Sequence, residues 1–303
     1  MKTLTFIGGS GFVGKSFIDC LNENRLKKFN IKKINIIARN PYILKKDKNL
    51  NLKNIKLIKA DISKMKSLPK SNLFIYGAET TKTISYNNKK QITIAHQSAI
   101  NNFCKILKKE KYIKVLYLSS GAIYKKKYQL NRSKYKNLYS KLKIYSENKI
   151  RNLTKMGVSA TIARCYTFVG PRLPLKAQFA VGNFIYDGFN KKIIKIKSQN
   201  KVIRSYMHSN DLVNWLITML LKSNNKCKIY NVGSDKEIEI QKLAKLIGII
   251  FNKPVSITNF KSKKVDKYVP NIVKTQQELG LKINNDLMKS ILLTINYIDE
   301  KIN

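Results

Sequence analysis

The chain is poor in the residues that usually announce a metal site or a covalent framework. It has two histidines and four cysteines (Cys20, Cys104, Cys165, Cys227), and the cysteines stand singly, with no C-x-x-C. That spacing supports neither a disulfide scaffold nor a zinc site, and it fits a reduced, cytoplasmic setting. Long apolar runs are missing as well. The nearest, Leu212 to Leu221, falls short of the ~20 residues of a membrane span. The N-terminus runs straight into a strand pattern, without the h-region of a secretory signal. No Pro/Gly/Ser-rich linker and no repeat divides the 303 residues. A chain of this length folds as one large domain or two closely joined ones.

Acidic residues are scarce: 17 Asp and Glu face 60 Lys and Arg, for a formal net charge of +43. So basic a chain first suggests nucleic acid, because cations that neutralise phosphates release counterions. Yet only seven of the cations are arginine, the residue favoured for bidentate recognition of phosphate or guanine. The excess is lysine, spread from end to end beside abundant isoleucine and asparagine, as AT-biased coding would produce. Compositional drift therefore outweighs a dedicated nucleic-acid surface, with weak non-specific anion binding expected either way. At 43% hydrophobic residues the chain has enough apolar side chains for a sizeable core.

What is present begins at Lys2. The apolar run Leu4 to Ile7 ends in glycines at Gly8, Gly11 and Gly14, and a second apolar segment starts at once with Phe12 and Val13. This reads as strand, tight turn and helix at the spacing G-x-x-G-x-x-G. One glycine turns the chain, one lets backbone approach a pyrophosphate and one lets the helix pack on its strand. The helix N-terminus then offers free N–H groups to phosphate. Further strands are expected at 32–38, 55–58, 73–76, 115–118 and 158–163, with helices at 91–107 and 135–153. Strands alternating with helices argue for a doubly wound parallel α/β sheet covered on both faces. A basic residue at the end of the second strand accommodates a 2′-phosphate. Arg39 stands there and favours NADP over NAD, unless it is one more surface cation. Beyond Gly170 the strands become short (193–196, 202–206, 228–232) and helical patterns appear at 211–221, 238–250 and 286–298. The expected division is 1–165 for the nucleotide-binding domain and 166–303 for a smaller substrate lobe, with parts of 207–232 returning to the first.

Tyr139 and Lys143, four apart in YSKLK, share one face of the 135–153 helix. An ammonium one turn from a phenol stabilises the phenolate, and the pair then suits proton transfer. Y-x-x-x-K alone is nearly free in a chain with 16 tyrosines and this much lysine. Ser120, at a strand end about twenty residues earlier, is placed to hydrogen-bond a reacting oxygen. In this order FIGGSGFVG, LYLSSGAIY (116–124), YSKLKIYSE (139–147), VGPRLP (169–174), IRSYMHSNDL (203–212), YNVGS and NIVKTQQELGLK resemble the extended short-chain dehydrogenase/reductases. More narrowly they resemble the nucleotide-sugar epimerase/dehydratase branch, over nearly the whole chain. The resemblance implies Ser120, Tyr139 and Lys143 as catalytic residues. It implies NAD or NADP held by Gly8, Gly11, Phe12, Val13, Gly14, Arg39, Asp61, Ile62, Ala78, Tyr139 and Lys143, and no metal. Thr167, Asn183 and Arg204 would meet a nucleotide-diphosphate sugar, Arg204 at the diphosphate. Hydride transfer at C4 of the hexose is the implied reaction, by an epimerase or a 4-ketoreductase feeding polysaccharide assembly. A homodimer built on helices 91–107 and 135–153 is also implied.

The departures from the branch are informative. Its 4,6-dehydratases carry an acidic pair after the catalytic hydroxyl, where this chain has Gly121 and Ala122. A family asparagine is replaced by Thr167, another aligns with His96, and the glycine after Tyr124 is Lys125. A 4,6-dehydratase-like enzyme remains one alternative. A non-catalytic basic dinucleotide fold binding RNA or other polyanions is the other. His208 reads as structural or substrate-lining, and Trp215 as core.

Overall fold

A computed structural model describes residues 2–79, 88–108, 112–124, 134–177, 179–256 and 262–302. In chain order the elements are β1 (Lys2–Ile7), α1 (Phe12–Asn22), β2 (Ile31–Ala38), β3 (Ile55–Lys59), β4 (Leu73–Tyr76), α2 (Lys89–Leu107), β5 (Lys114–Ser120), α3 (Lys134–Thr154) and β6 (Ser159–Cys165). Next come β7 (Phe168–Val169), α4 (Ala180–Asn190), β8 (Ile194–Lys195), β9 (Asn200–Ser205), β10 (Met207–His208), α5 (Ser209–Leu221) and β11 (Lys228–Val232). The chain ends with β12 (Glu237–Glu239), α6 (Ile240–Ile250), β13 (Val255–Ser256), β14 (Ser262–Tyr268), α7 (Val273–Leu279) and α8 (Leu287–Ile302).

Seven strands form one parallel sheet in the order β11-β6-β5-β4-β1-β2-β3. Both faces are covered, which is why its strands read as continuous apolar runs rather than alternations. Alternate residues feed opposite cores. Phe6, Ile75, Leu116 and Leu118 pack with α1 and α5 around Trp215. Ile7, Phe74, Tyr76, Val115 and Tyr117 pack with α2 and α3 around Phe103. Trp215 is fully buried and donates its indole N–H to the Lys282 carbonyl, so it is core as its helical spacing indicates. The strand order reverses direction between β1 and β4. Crevices at such a switch point, beyond the carboxyl ends of the strands, are where open α/β sheets bind ligands.

A third core joins α4, α6 and α8 through Phe184, Leu243, Ile247 and Ile291. Beside it β9 pairs antiparallel with β12 and parallel with β14. The expected strand at 193–196 shrinks to the two residues of β8. β6 runs on to Cys165, carrying Arg164 to the sheet's carboxyl edge. β12, β14 and α7 have no counterpart in the sequence reading. β14 (SKKVDKY) is lysine-rich without apolar alternation, and its position is set by long-range pairing. Among the described residues no helix is long and apolar enough to cross a membrane.

Arg172, just past Gly170-Pro171, ties the C-terminal part to the sheet. Its guanidinium makes a bidentate pair with Asp19 on α1 (2.6 and 2.7 Å) and bonds Asp47 at 2.8 Å and the Asn49 carbonyl at 3.0 Å. It also lies 4.7 Å over the ring of Tyr297 on α8. With the side chain 3% exposed, removing the cation would leave two carboxylates without their shared partner. Arg172→Met is therefore expected to lower the unfolding free energy by about 3–5 kcal/mol. Urea unfolding reads this directly, and a change below about 1 kcal/mol would show that the cluster is dispensable.

Candidate active site

Three features shape the nucleotide end. Gly8 has φ +83°, and a Cβ there would sit 2.5 Å from the Ala78 backbone, so the ends of β1 and β4 touch at the switch point. At Gly14 a Cβ would fall 1.9 Å from the Gly9 carbonyl oxygen, because α1 starts hard against its own turn. Gly11 caps α1 without a side-chain acceptor, and a Cβ there would meet nothing within 4 Å. The Phe12, Val13 and Gly14 amides thus begin a helix whose open N-terminal side suits a pyrophosphate. Asp61 follows β3 and caps the 3-10 turn Ile62–Lys64 by accepting from the Ser63 amide (2.9 Å) and hydroxyl (2.7 Å). Partial burial pushes its carboxyl up, but the Ser63 bonds and the Arg39 charge outweigh that and leave it lowered. Asn102 fixes the same turn through the Ile62 carbonyl at 2.7 Å. Arg39 is exposed one residue past β2. This set fits a dinucleotide.

At the other side of the crevice, β5 and α3 are locked together. Lys143 is buried with its side chain 2% exposed. Its Nζ donates to the Leu118 carbonyl on β5 at 2.7 Å and lies 5.6 Å from the centre of the half-buried Tyr139 ring. Burial pushes the ammonium down to about 7, while the fields of Cys165 and Glu147 act the other way. The Glu79 carboxylate touches Nζ and also favours the charged form. Ser140 donates to the Ala122 carbonyl at 2.8 Å, docking the same helix on the turn after Ser120. Ser120 Oγ accepts from the Ala122 amide at 3.2 Å. Ser119, its neighbour on the other face of the strand, donates to Glu147 at 2.6 Å. Glu147 in turn takes a bidentate pair from Arg164 at 2.8 and 3.0 Å.

The three substrate candidates are dispersed. Thr167 gives its hydroxyl to the Ser205 carbonyl. Asn183 sits half-buried within α4, between Gly182 and the core residue Phe184. Arg204 is on β9, its guanidinium held by the Asp266 carboxylate (2.8 Å) and carbonyl (2.8 Å) of β14. His96 bonds Ser146 at 2.8 Å across α2 and α3, a helix-to-helix bridge. Lys125 lies outside the described residues.

Three further residues belong to the crevice and escaped the sequence reading. Glu79 stands three residues past β4, a strand-end position that the switch-point rule would have flagged. Tyr166 follows β6 and covers Gly121, where a Cβ would meet its ring at 2.3 Å. Tyr268, at the end of β14, stacks on Tyr166 with ring centres 4.5 Å apart. No local signal marks Tyr268, since it comes from 148 residues beyond Ser120.

The family model for the NAD dependent epimerase/dehydratase family matches residues 5–233. UDP-glucuronic acid decarboxylase 1 of Arabidopsis thaliana is 28% identical over 127 residues, 41% of this chain and 28% of that protein. The matched stretch is about a third of the length of the first curated relatives, 28% and 35%. Among solved structures, the Bordetella bronchiseptica enzyme WbmF in complex with NAD+ is 19% identical at a TM-score of 0.77, covering 99% of this chain and 93% of that one. UDP-glucose 4-epimerase of Thermotoga maritima with UDP-glucose is 15% identical at 0.73, covering 99% and 100%. At these identities the likeness of the solved structures is one of fold.

His208 caps α5, its Nδ1 accepting from the Asn210 amide at 3.1 Å, which leaves the ring proton on Nε2. That nitrogen is buried without a hydrogen-bond partner. Burial pushes the imidazole down to about 4; Asp211 opposes this, and Arg25 and Lys289 add to it. Above pH ~6.5 the ring is neutral both folded and unfolded. Between about 6.5 and 4 the unfolded ring takes a proton that the folded ring refuses, so stability falls with pH in that window. His208→Asn keeps a capping oxygen and removes the titration. Wild type should lose up to about 3 kcal/mol relative to this variant between pH 6.5 and 4, as measured by urea unfolding. Parallel pH profiles would sink the assignment.

Proposed function

The chain belongs to the NAD dependent epimerase/dehydratase family, and on that premise we propose that it acts at C4 of a nucleotide-diphosphate hexose as an epimerase or 4-ketoreductase. The observation that carries this reading is Lys143, a buried ammonium bonded to the β5 backbone two residues before Ser120 and lying over the ring of Tyr139. Tyr139 takes or returns the proton of the sugar hydroxyl, Lys143 stabilises the phenolate this creates, and Ser120 orients the reacting oxygen. NAD or NADP, held at Gly8 to Gly14, supplies the hydride chemistry when bound. Asp61, Ile62 and Ala78 line the same crevice, and Arg39 is the candidate contact to a 2′-phosphate. Arg204 serves the diphosphate by exchanging the Asp266 carboxylate for it, and Thr167 and Asn183 lie on the sugar side. The Tyr166 ring over Gly121 supports this reading over a 4,6-dehydratase, because any side chain at position 121 would have to displace that ring.

On the same reading, residues 1–165 with α5 and β11 form the nucleotide-binding part and most of the rest of 166–303 the sugar part. A homodimer contact falls on α2 and α3, where Ile94 is 53% and Ile144 43% exposed. The four unpaired thiols are in keeping with a cytoplasmic setting.

Acid denaturation of the purified protein, with identification of the released nucleotide, tests the reading. Stoichiometric NAD(H) indicates a recycling epimerase. An empty site that then binds NADPH well and NADH poorly indicates a ketoreductase and a role for Arg39. Tyr139→Phe should lower turnover of a responsive UDP-hexose by about 10²–10⁴-fold with dinucleotide affinity unchanged. No affinity for either dinucleotide, together with steeply salt-dependent binding to poly(U), would overturn the enzyme reading in favour of a polyanion-binding fold.

A further inference from the structure

Tyr268 belongs to none of the motifs from which the site was read. Its hydroxyl nevertheless lies 3.3 Å from Ser120 Oγ and 3.3 Å from the Cys165 carbonyl oxygen. The ring is fixed by its stack on Tyr166, the planes 28° apart, and by a strand register that sets Tyr268 opposite Arg204. Burial pushes the phenol up to about 12, although the Ser120 hydrogen bond acts to lower it. The group stays a neutral hydroxyl at working pH.

With both contacts made as hydrogen bonds, the directions of two protons follow. A carbonyl oxygen only accepts, so the single proton of Tyr268 points to Cys165. The proton between Tyr268 and Ser120 must then come from Ser120. Ser120 already accepts the Ala122 amide proton, so one lone pair is left and no donor. In this arrangement Ser120 can receive the O–H of an incoming alcohol, until that proton turns to Tyr139, and has none to give a ketone.

We propose that Tyr268 is a positioning residue for the reaction at Ser120, the two hydroxyls forming a reversible pair that accepts the sugar alcohol in one orientation and serves its ketone in the other. This rests on the nucleotide-sugar reading above. With the alcohol bound, Ser120 donates to Tyr268 and Tyr268 donates to the Cys165 carbonyl. Once the reacting oxygen is a carbonyl it needs a donor. Ser120 turns its proton to that oxygen, and Tyr268 turns its own from Cys165 to Ser120. Neither rotation breaks an O–H bond, and Ser120 has a partner on each side in both states. The cost is the hydrogen bond at the Cys165 carbonyl.

Tyr268→Phe keeps the ring and its stack and removes the hydroxyl. With UDP-glucose, UDP-galactose and UDP-glucuronate as probes, kcat is expected to fall about tenfold while KM stays within about twofold. In a Ser120→Ala background the same change should cost nothing further. A loss of equal size with and without the Ser120 hydroxyl would overturn the proposal. A cycle of urea unfolding on Ser120→Ala, Tyr268→Phe and the double variant reads the pair without any turnover. The double variant should lose less stability than the sum of the two singles, each single also carrying its own unshared bond to Ala122 or Cys165, and Ser120→Thr should retain the coupling. Additive losses in this cycle also overturn the proposal. If wild type turns over none of the three probes, the C4 reading fails for UDP-hexoses, and the unfolding cycle still decides for or against the hydroxyl pair.

Discussion

A single buried carboxylate, Glu147, determines how the helix carrying Tyr139 and Lys143 lies against the strands that end at the crevice. It is 3% exposed, one helical turn beyond Lys143, and reaches Ser119 on β5 and Arg164 on β6 together. Burying a carboxylate is costly unless its charge is paired and its oxygens are hydrogen-bonded. Here a planar guanidinium meets both oxygens, the geometry in which an ion pair best offsets its desolvation. Arg164 is supported in turn by the Tyr124 ring 4.7 Å away, and Tyr124 bonds Asn231 on the neighbouring β11. Three strands and one helix are thereby referred to one anion. Ser119 is bound on that side, and Ser120, on the opposite face of β5, is left facing Tyr268.

The C-terminal part reaches the crevice through β14. Asp266 and Tyr268 are two residues apart and so share a face of that strand. One holds Arg204, and the other meets Ser120. A phosphate arriving at Arg204 meets a cation already matched by Asp266, so its attraction is the difference between two anions for one guanidinium. The other arginine anchor, Arg172, is held by Asp19 on α1, by Asp47 and by Tyr297 on α8. Of the arginines whose contacts define this molecule, Arg164, Arg172 and Arg204 each make an acidic ion pair. The lysine excess that dominates the composition enters these pairings at Asp47, which Lys15 shares with Arg172 at 3.0 Å.

The glycine turn was legible because its residues answer to constraints within a few positions or at the adjacent strand end. Gly14 must clear the Gly9 carbonyl, and Gly8 must clear Ala78. The helix of Tyr139 and Lys143 was legible through its spacing, and the parallel sheet through the alternation of its strands with helices. Polar strand ends were not: β6 continues through Arg164 and Cys165 because pairing with β5 and β11 extends past the last apolar side chain. Tyr268 and the partners of Arg172 lay out of reach for another reason. Their contacts span 148, 125 and 153 positions, and no local pattern encodes a meeting at that distance. β14 in particular has a lysine-rich sequence whose strand state depends on β9.

The contact between Gly121 and Tyr166 has a consequence for the history open to this chain. An acidic side chain introduced first at 121 collides with an aromatic ring. A small residue introduced first at 166 removes the partner on which Tyr268 is stacked. Each single step is penalised in the background of the other, so a descent with one change at a time meets a barrier in both orders. Whatever chemistry a carboxylate at that position would add therefore calls for a change at 121 and a rearrangement of the ring at 166 together.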